Sequence, residues 1–196
     1  MMNSNKHKTQ AFTLIELLMI IAIIAILSGI LIPVTGGVIK QSRIAASKAQ
    51  LWQYVTAIEN FKAEYGYYPT IFAGEASYSL EGAGDSRNFI EALSGRDVTT
   101  GNPVQIGGNR NSIQFHSFST SECFDLNGVI QNHRLADRFN NTSISIKVDG
   151  DGDGYILPNP PGGRDPDAPD SPLRTSVTAW VVEKPDGSEP GYGLWE

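Results

Sequence analysis

The sequence predicts an α+β fold in which a long N-terminal α-helix packs on a small antiparallel β-sheet. Two observations predict it. An apolar run at residues 12–34 is followed by apolar positions at helical spacing as far as residue 65. Beyond residue 70 the regular segments are short and alternate apolar with polar side chains, as strands with one buried face do. A chain of 196 residues has room for one such domain and an appendage.

Charge is distributed unevenly along the chain. Residues 1–139 hold 11 acidic and 11 basic residues, whereas residues 140–196 hold 10 acidic and 4 basic ones. The formal net charge of -6 therefore comes from the C-terminal part. This balance argues against a basic surface for nucleic acid. The single cysteine, Cys123, excludes an internal disulfide and a cysteine-rich zinc site.

The first predicted element is an apolar helix. From residue 12 to residue 32, a rise of about 1.5 Å per residue gives roughly 30 Å, the thickness of a hydrocarbon core. Lys6 and Lys8 precede the run and predict a cytoplasmic N-terminus by the positive-inside rule. We therefore expect one membrane-spanning segment at residues 12–34. A secretory signal peptide would need small residues after the run, and residues 28–30 (SGI) fit that pattern poorly.

Glu16 is the one acidic residue within this apolar run. A carboxylate costs roughly 2.5–3.5 kcal/mol near the bilayer centre and less near an interface. One interpretation is that Glu16, one turn into the helix, lies at the headgroup level and needs no partner. The other is that a positive group from another chain pairs with it, because the helix itself carries no base.

Residues 11–18 (AFTLIELL) resemble the processing signal of type IV pilins and type II secretion pseudopilins. The resemblance implies that a prepilin peptidase cuts between Ala11 and Phe12 and then methylates the new amino group of Phe12. Residues 1–11 would be the leader peptide. Glu16 would pair with the N-terminal amine of a neighbouring subunit. The family most often has glycine before the cut, where this chain has Ala11.

The resemblance also implies a structural subunit and no enzyme. Its partners would be other copies in a homo-oligomeric filament, the peptidase that is also the methyltransferase, and an inner-membrane assembly platform. The chain would cross the bacterial inner membrane once, with its C-terminal head in the periplasm. The filament would lie in the periplasm or at the cell surface.

Pro33, Gly36 and Gly37 follow the apolar run, and such residues weaken a helix. They predict either a helix end at the membrane surface or a flexible joint within one long helix, and the helical pattern that resumes favours the joint. Residues 35–66 are predicted as an amphipathic helix that packs on the sheet and ends near Gly66. Its stripe consists of apolar positions at helical spacing: Ile44, Leu51, Val55, Ile58, Phe61 and Tyr65.

Residues 54–70 (YVTAIENFKAEYGYYPT) are similar to the helix end of the major pseudopilins, where a tyrosine-rich turn leads into a Tyr-Pro-Thr step. Residues 67–70 match that step. Together with the lack of a C-terminal cysteine pair, this similarity favours a secretion pseudopilin over a pilus subunit.

Residues 67–196 are predicted as a globular α+β head with long loops. Residues 73–111 are expected to be mostly loop, with a short helix around residues 89–93. Strands are predicted at three places: residues 112–118, 142–148 and 174–184. Near the C-terminus, Tyr192 and Trp195 are expected to pack against the sheet.

Asp149, Asp151 and Asp153 alternate with glycines in the segment DGDGDG. This pattern matches the first half of a helix-loop-helix calcium loop, because alternate carboxylates on a tight turn can face one hard cation. Pro160 stands where the loop needs its last acid. A later acid would have to fold back in its place: Asp165, Asp167 or Asp170. Calcium and a solvated acidic turn are equally favoured, with other metals as a third interpretation; the pseudopilin resemblance also implies calcium here.

An alternative function is a membrane-anchored, calcium-dependent binding module that recognises its ligand through the loops at residues 73–111 and 158–172. A tethered enzyme has no catalytic constellation to support it. The three histidines lack metal-ligand spacing, and Cys123 has no paired histidine motif. His116 is expected to be a satisfied strand residue and not a base.

Overall fold

The computed structural model describes residues 12–158, 169, 171–184 and 187–195, and for residues 30–35 it describes the backbone alone. The chain divides into two units, Met1–Ser42 and Arg43–Glu196. The first helix, α1 (Leu14–Tyr65), contributes residues to both units. The predicted leader at residues 1–11 lies outside the described residues.

The backbone of α1 stays helical past Pro33, Gly36 and Gly37. The interpretation of this region as a helix end is therefore wrong, because helix-forming residues on both sides outweigh one missing N–H donor and two glycines. Among the described residues, no atom outside the local helix backbone lies within 4 Å of where a Cβ would stand on Gly36 or Gly37. Close packing thus does not account for the two glycines, and the flexible joint stays a prediction.

The second unit holds a four-stranded antiparallel sheet and a separate two-stranded hairpin. The sheet has the spatial order β1 (Tyr78–Ser79), β4 (Ile144–Val148), β5 (Val177–Val181), β6 (Tyr192–Gly193). The hairpin pairs β2 (Cys123–Leu126) with β3 (Val129–Leu135). Helix α2 (Ala83–Ser94) and a 3-10 turn (Thr120–Glu122) complete the described elements.

The two central strands, β4 and β5, form the sheet side of the core. Three apolar pairs lie directly opposite one another: Ile144 and Val181, Ile146 and Ala179, Val148 and Val177. Side chains alternate between the faces of a sheet, so these pairs share one face, and all six are buried in the core. Strands predicted at residues 142–148 and 174–184 are thereby confirmed, within shorter bounds.

Helix α1 forms the other side of the core. Four residues of the predicted stripe are at most 2% exposed: Leu51, Val55, Ile58 and Phe61. This confirms that the stripe packs on the sheet of its own chain. The helix ends at Tyr65 because Gly66 adopts φ of +79° and its N–H donates to the Lys62 carbonyl at 2.8 Å. That left-handed glycine is the predicted C-terminal cap.

The strand predicted at residues 112–118 is wrong. The backbone N–H groups of Phe115 and His116 both donate to the carbonyl of Leu93, at 2.8 and 3.1 Å, instead of pairing with a strand. The aromatic side chains in this segment pack with the aromatic residues of α1, for example Phe115 on Phe61 at 5.1 Å between ring centroids. Their alternation reflects this aromatic contact and not a pleated strand. His116 is therefore not a strand residue.

Sequence reasoning missed the β2–β3 hairpin. Its two-residue turn is Asn127-Gly128, and both residues have positive φ, 54° and 85°. Asn-Gly between apolar residues is a strong hairpin signal, because such turns match the twist of paired strands. Helix α2, expected around residues 89–93, is longer than predicted and fills part of the segment expected to be loop.

A buried polar network joins three distant parts of the chain. The hydroxyl of Tyr192 donates to Asp137, which also accepts the backbone N–H groups of Phe139 and Asn141 at 2.7 and 2.8 Å. Burial raises the pKa of Asp137 despite these donors. From α1, Gln50 donates to the carbonyl of Ala136 at 2.9 Å. Since buried polar groups need partners, this network holds the segment after β3 against both α1 and β6.

The C-terminal aromatic residues pack as predicted. Tyr192 is buried, and the rings of Trp180 and Trp195 lie 5.6 Å apart between centroids. A Cβ on Gly193 would stand 2.2 Å from the Trp195 ring. The missing side chain of Gly193 therefore makes room for Trp195 to fold back over its own strand.

His116 and Glu122 form a buried pair, with Nε2 and Oε2 3.0 Å apart. The other oxygen of Glu122 accepts the backbone N–H and the hydroxyl of Ser119, at 2.9 and 2.8 Å. Burial alone would raise the pKa of Glu122, but the contacts with His116 and Ser119 outweigh it and lower the pKa to about 2.

The pKa of Glu122 predicts a loss of stability in acid. Its carboxyl has an ordinary pKa of 4.5, so its contribution is fully present above pH 4.5 and is lost as the pH falls toward 2. A pKa lowered from 4.5 to about 2 corresponds to about 3 kcal/mol, and solvent screening of the incompletely buried pair reduces the expected loss to about 2 kcal/mol. Thermal unfolding followed by circular dichroism across this range should show a smaller acid-induced drop in Tm for Glu122→Gln than for wild type. The exposed Glu81→Gln should behave as wild type, and an unchanged acid dependence in Glu122→Gln would contradict the assignment.

Candidate functional site

The first candidate site is the start of α1. The hydroxyl of Thr13 accepts the backbone N–H of Glu16 at 3.3 Å, and Glu16 Oε2 accepts the backbone N–H of Thr13 at 2.9 Å. The Thr13 hydroxyl also lies 2.7 Å from the same carboxylate oxygen. This reciprocal arrangement is a capping box, which satisfies N–H groups that the first helical turn leaves unpaired. Sequence reasoning missed it, although the spacing Thr-x-x-Glu carries the signal.

The capping box adds a third interpretation for Glu16. The sequence alone suggested a carboxylate without a partner or one paired with a base from another chain. Among the described residues, Thr13 makes two contacts with the Glu16 carboxylate, both at Oε2. Glu16 thus stabilises its own helix start, and negative charge there also suits the helix dipole.

Phe12 lies directly before α1, with 73% of its surface exposed. Ala11, on the other side of the predicted cleavage bond, lies outside the described residues. Beyond Phe12, large apolar side chains are exposed around the helix: Leu14, Ile15, Leu17, Leu18, Met19, Ile20, Ile21, Ile23, Ile24, Ile26 and Leu27. An apolar surface of this extent marks a contact with lipid or protein.

Within the described part of the chain, no helix combines the length and the apolar character that crossing a membrane requires. The span predicted at residues 12–34 includes residues 30–34, whose side chains lie outside the described residues.

The second candidate site is the acidic turn after β4. Asp149 accepts the backbone N–H of Gly152 at 2.8 Å and that of Gly154 at 3.0 Å. Burial alone would raise the pKa of Asp149, but these backbone donors outweigh it and lower the pKa. Gly152 and Gly154 have φ of +79° and +83°. The turn therefore holds an ionised Asp149 and depends on glycine at both positions.

The structure brings Glu75 to this turn, a residue that the spacing of the aspartates could not reveal. One carboxylate oxygen from each of Glu75, Asp149 and Asp151 lies within 4.8 Å of the others. Glu75 Oε1 accepts the backbone N–H of Gly150 at 2.6 Å. A Cβ on Gly150 would stand 2.6 Å from the backbone of Gly74. The backbone segments at Gly74 and Gly150 thus lie too close together for a side chain at position 150. This close approach places Glu75 beside the aspartates.

Asp153 is not part of the group of three. Its carboxylate accepts the backbone N–H of Tyr155 at 2.7 Å. The Nζ of Lys147 lies 3.4 Å from Glu75 Oε2 and neutralises part of the charge of that carboxylate. Asp165, Asp167 and Asp170, considered as additional ligands, lie outside the described residues. Three carboxylates are ligands of the kind that Ca²⁺ prefers, although a complete site takes six to eight oxygens.

Comparison with known proteins gives one match. Residues 6–32 match the family of the prokaryotic N-terminal methylation motif. No curated protein and no solved structure matches the chain. The matched residues contain Lys6 and Lys8, the capping box and the exposed apolar side chains of α1 from residue 14 to residue 27.

This motif implies processing by a prepilin peptidase, an inner-membrane anchor and assembly into a filament. Behind the motif, the structure places a long helix packed on an antiparallel sheet, which is the architecture of a pilin-like head. The chain thus combines a prepilin-type N-terminal methylation motif at residues 6–32 with a pilin-like α+β fold behind it.

Proposed function

We propose that the chain is a structural subunit of a type II secretion pseudopilus or of a related type IV pilus-like filament. The methylation motif at the exposed start of α1 carries this proposal. Prepilin peptidase cuts between Ala11 and Phe12 and methylates Phe12. An inner-membrane assembly platform then adds the mature subunit to other copies, with residues 12–34 anchoring it in the membrane until assembly.

The apolar surface of residues 12–27 supplies the driving force for assembly. Burial of apolar surface contributes about 25 cal/mol per Å² removed from water, and helices packed in a filament cover such surface. Within the bilayer the gain comes from side-chain packing and from pairing of polar groups. Glu16 is the group that needs pairing, and the methylated amine of Phe12 in the adjacent copy is the base that the proposal assigns to it.

The tyrosine-rich turn after α1 supports the pseudopilus within this proposal. Tyr68 donates to the carbonyl of Ser176 at 2.9 Å and accepts a hydrogen bond from Lys62 at 2.9 Å. Tyr67 stacks on Tyr65 with ring centroids 5.8 Å apart. The turn thus closes the core at the end of the helix, and its residues 67–70 match the Tyr-Pro-Thr step to which the similarity with major pseudopilins refers. Its contacts are those of a structural turn and not of a ligand site.

The mature N-terminus tests the proposal directly. When the full chain is co-expressed with a prepilin peptidase, mass spectrometry should find a protein that begins with N-methylated Phe12 and lacks residues 1–11. The matched control is a host without the peptidase, in which the leader should remain. An intact leader in the presence of an active peptidase would contradict processing at this bond.

Replacement of Glu16 separates anchoring from assembly. Glu16→Val should leave the membrane-bound fraction unchanged and reduce filament formation, because an apolar side chain suits lipid and cannot pair with the Phe12 amine. Thr13→Val is the matched control, since it also removes the capping box but keeps the carboxylate. Filaments counted by electron microscopy should be lost in Glu16→Val and retained in Thr13→Val. Equal loss in both variants would assign the effect to helix capping, and normal filaments in Glu16→Val would refute the amine pairing.

A second candidate function is a membrane-anchored, calcium-dependent binding module, which acts through residues 73–111, α2 included, and residues 158–172, of which 159–168 and 170 lie outside the described residues. The grouping of Glu75, Asp149 and Asp151 favours calcium at the turn. In both candidate functions we propose Asp149 and Asp151 as ligands, and the third carboxylate is either Asp153, as the sequence pattern predicts, or Glu75, which the geometry favours.

Calorimetry on the detergent-solubilised full chain tests the calcium site. Calcium uptake should be lost in Asp151→Ala. It should weaken in Glu75→Gln and persist in Asp153→Asn if Glu75 is the third ligand, and the reverse result would restore the predicted aspartate set. No heat at millimolar calcium would leave the plain acidic turn as the correct interpretation.

A further inference from the structure

The tip of the β2–β3 hairpin exposes apolar side chains that the described fold does not cover. Leu126 and Val129 pair directly across the turn and are 51% and 61% exposed. Ile130 pairs with Asp125 on the opposite face of the hairpin and is 42% exposed. The tight Asn127-Gly128 turn fixes their positions. We call residues 125–130 the hairpin tip. Monomeric proteins seldom concentrate exposed aliphatic residues on so short a segment, so the hairpin tip has the character of a contact surface.

A groove of about 310 Å³ lies elsewhere on the same unit, between α1 and the C-terminal strands. We call it the tryptophan groove. Two tryptophans flank it: Trp52 on α1 is 53% exposed, and Trp195 is fixed by its packing on Trp180. The remaining lining includes Leu173 and Leu194, with the exposed guanidinium of Arg174 at its rim. Tryptophan and arginine are the residues that carry most binding energy at protein interfaces.

The hairpin tip and the tryptophan groove are complementary in chemistry. The tip presents aliphatic side chains on both faces of the hairpin, and Asp125 lies opposite Ile130 with its Oδ1 accepting the backbone N–H of Gly128 at 2.7 Å. The groove presents aromatic and aliphatic walls next to Arg174. Among the described residues, neither Asp125 nor Arg174 belongs to an ion pair. Apolar contact with an opposite charge at the rim gives both affinity and a fixed orientation.

We infer that the hairpin tip of one copy docks into the tryptophan groove of the next copy, with Asp125 facing Arg174 across the contact. The inference rests on the proposed filament. Because the two surfaces differ, the contact is head-to-tail, and repeated head-to-tail contacts build an open helical array. The contact is too small to hold two free subunits together, since stable interfaces bury about 1,200 Å² or more. The N-terminal helices supply the rest, because they hold the heads at high effective concentration.

Cross-linking of two co-expressed single-cysteine variants tests the contact. Both are made in the full chain with Cys123→Ser, which removes the natural thiol, and are expressed with the Cys123→Ser chain and the assembly machinery so that mixed filaments form. One variant carries Val129→Cys and the other Trp52→Cys. After mild oxidation we expect a disulfide-linked dimer from the mixture and none from either variant expressed without the other. Thr175→Cys is a second groove position, in case Trp52→Cys disturbs the helix.

Tyr155→Cys is the control for Val129→Cys, because Tyr155 is an exposed apolar residue, 48% accessible, on the acidic turn and not on the hairpin. It should give no dimer with Trp52→Cys. Filaments without a dimer from either groove position would overturn the inference and leave the proposed function standing. Cross-linking of Val129→Cys to itself would also overturn it, since that result requires a symmetric contact. If wild-type chain forms no filament at all, the proposed function fails, and the inference fails with it.

Discussion

Contact between the apolar stripe of α1 and the inner face of β4 and β5 is the interaction on which the rest of the head depends. Phe61 and Ile58 are fully buried in it, and each fully buried side chain of this kind contributes about 1.5–3 kcal/mol. The strands β1 and β6 have only two residues each, and the hairpin is a separate sheet. A two-stranded ribbon is marginal by itself. These smaller elements are therefore stable only because the helix and the central strands give them a surface to pack on.

The same contact divides α1 into a half that packs on its own chain and a half whose apolar side chains stay exposed. Toward its C-terminal end, α1 buries its stripe against its own chain, so this half is committed to the head. From Phe12 to Leu27 its apolar side chains remain exposed and are free for other partners. Glu16 marks the start of the exposed half and is held by Thr13. The division follows from the sequence: Leu51–Phe61 alternate with polar residues at helical spacing, whereas residues 17–32 carry no charge on any face.

Local patterns predicted the parts of the fold that depend on neighbouring residues. The helical spacing of Leu51, Val55 and Ile58 identified the buried stripe, and the alternation of residues 144–148 identified β4. Residues 112–118 misled the prediction, because Phe115 follows a strand-like alternation while its ring packs on Phe61. In the candidate sites, the positions of Phe12, Glu16 and the aspartates could be read from motifs. Glu75 could not, because its place beside Asp149 depends on the close approach of two backbones far apart in sequence.

The buried network around Asp137 can form only late in the synthesis of the chain. It requires Gln50 from α1, the residues after β3, and Tyr192 from the last strand. Because the chain is synthesised from its N-terminus, α1 is made long before Tyr192. The buried contacts of α1 can therefore be completed only when nearly the whole chain has been synthesised. Contacts between residues so distant in sequence also form slowly. During that interval the unfinished chain exposes its apolar stripe and unpaired strand edges, and it is then most vulnerable to proteolysis and to wrong association.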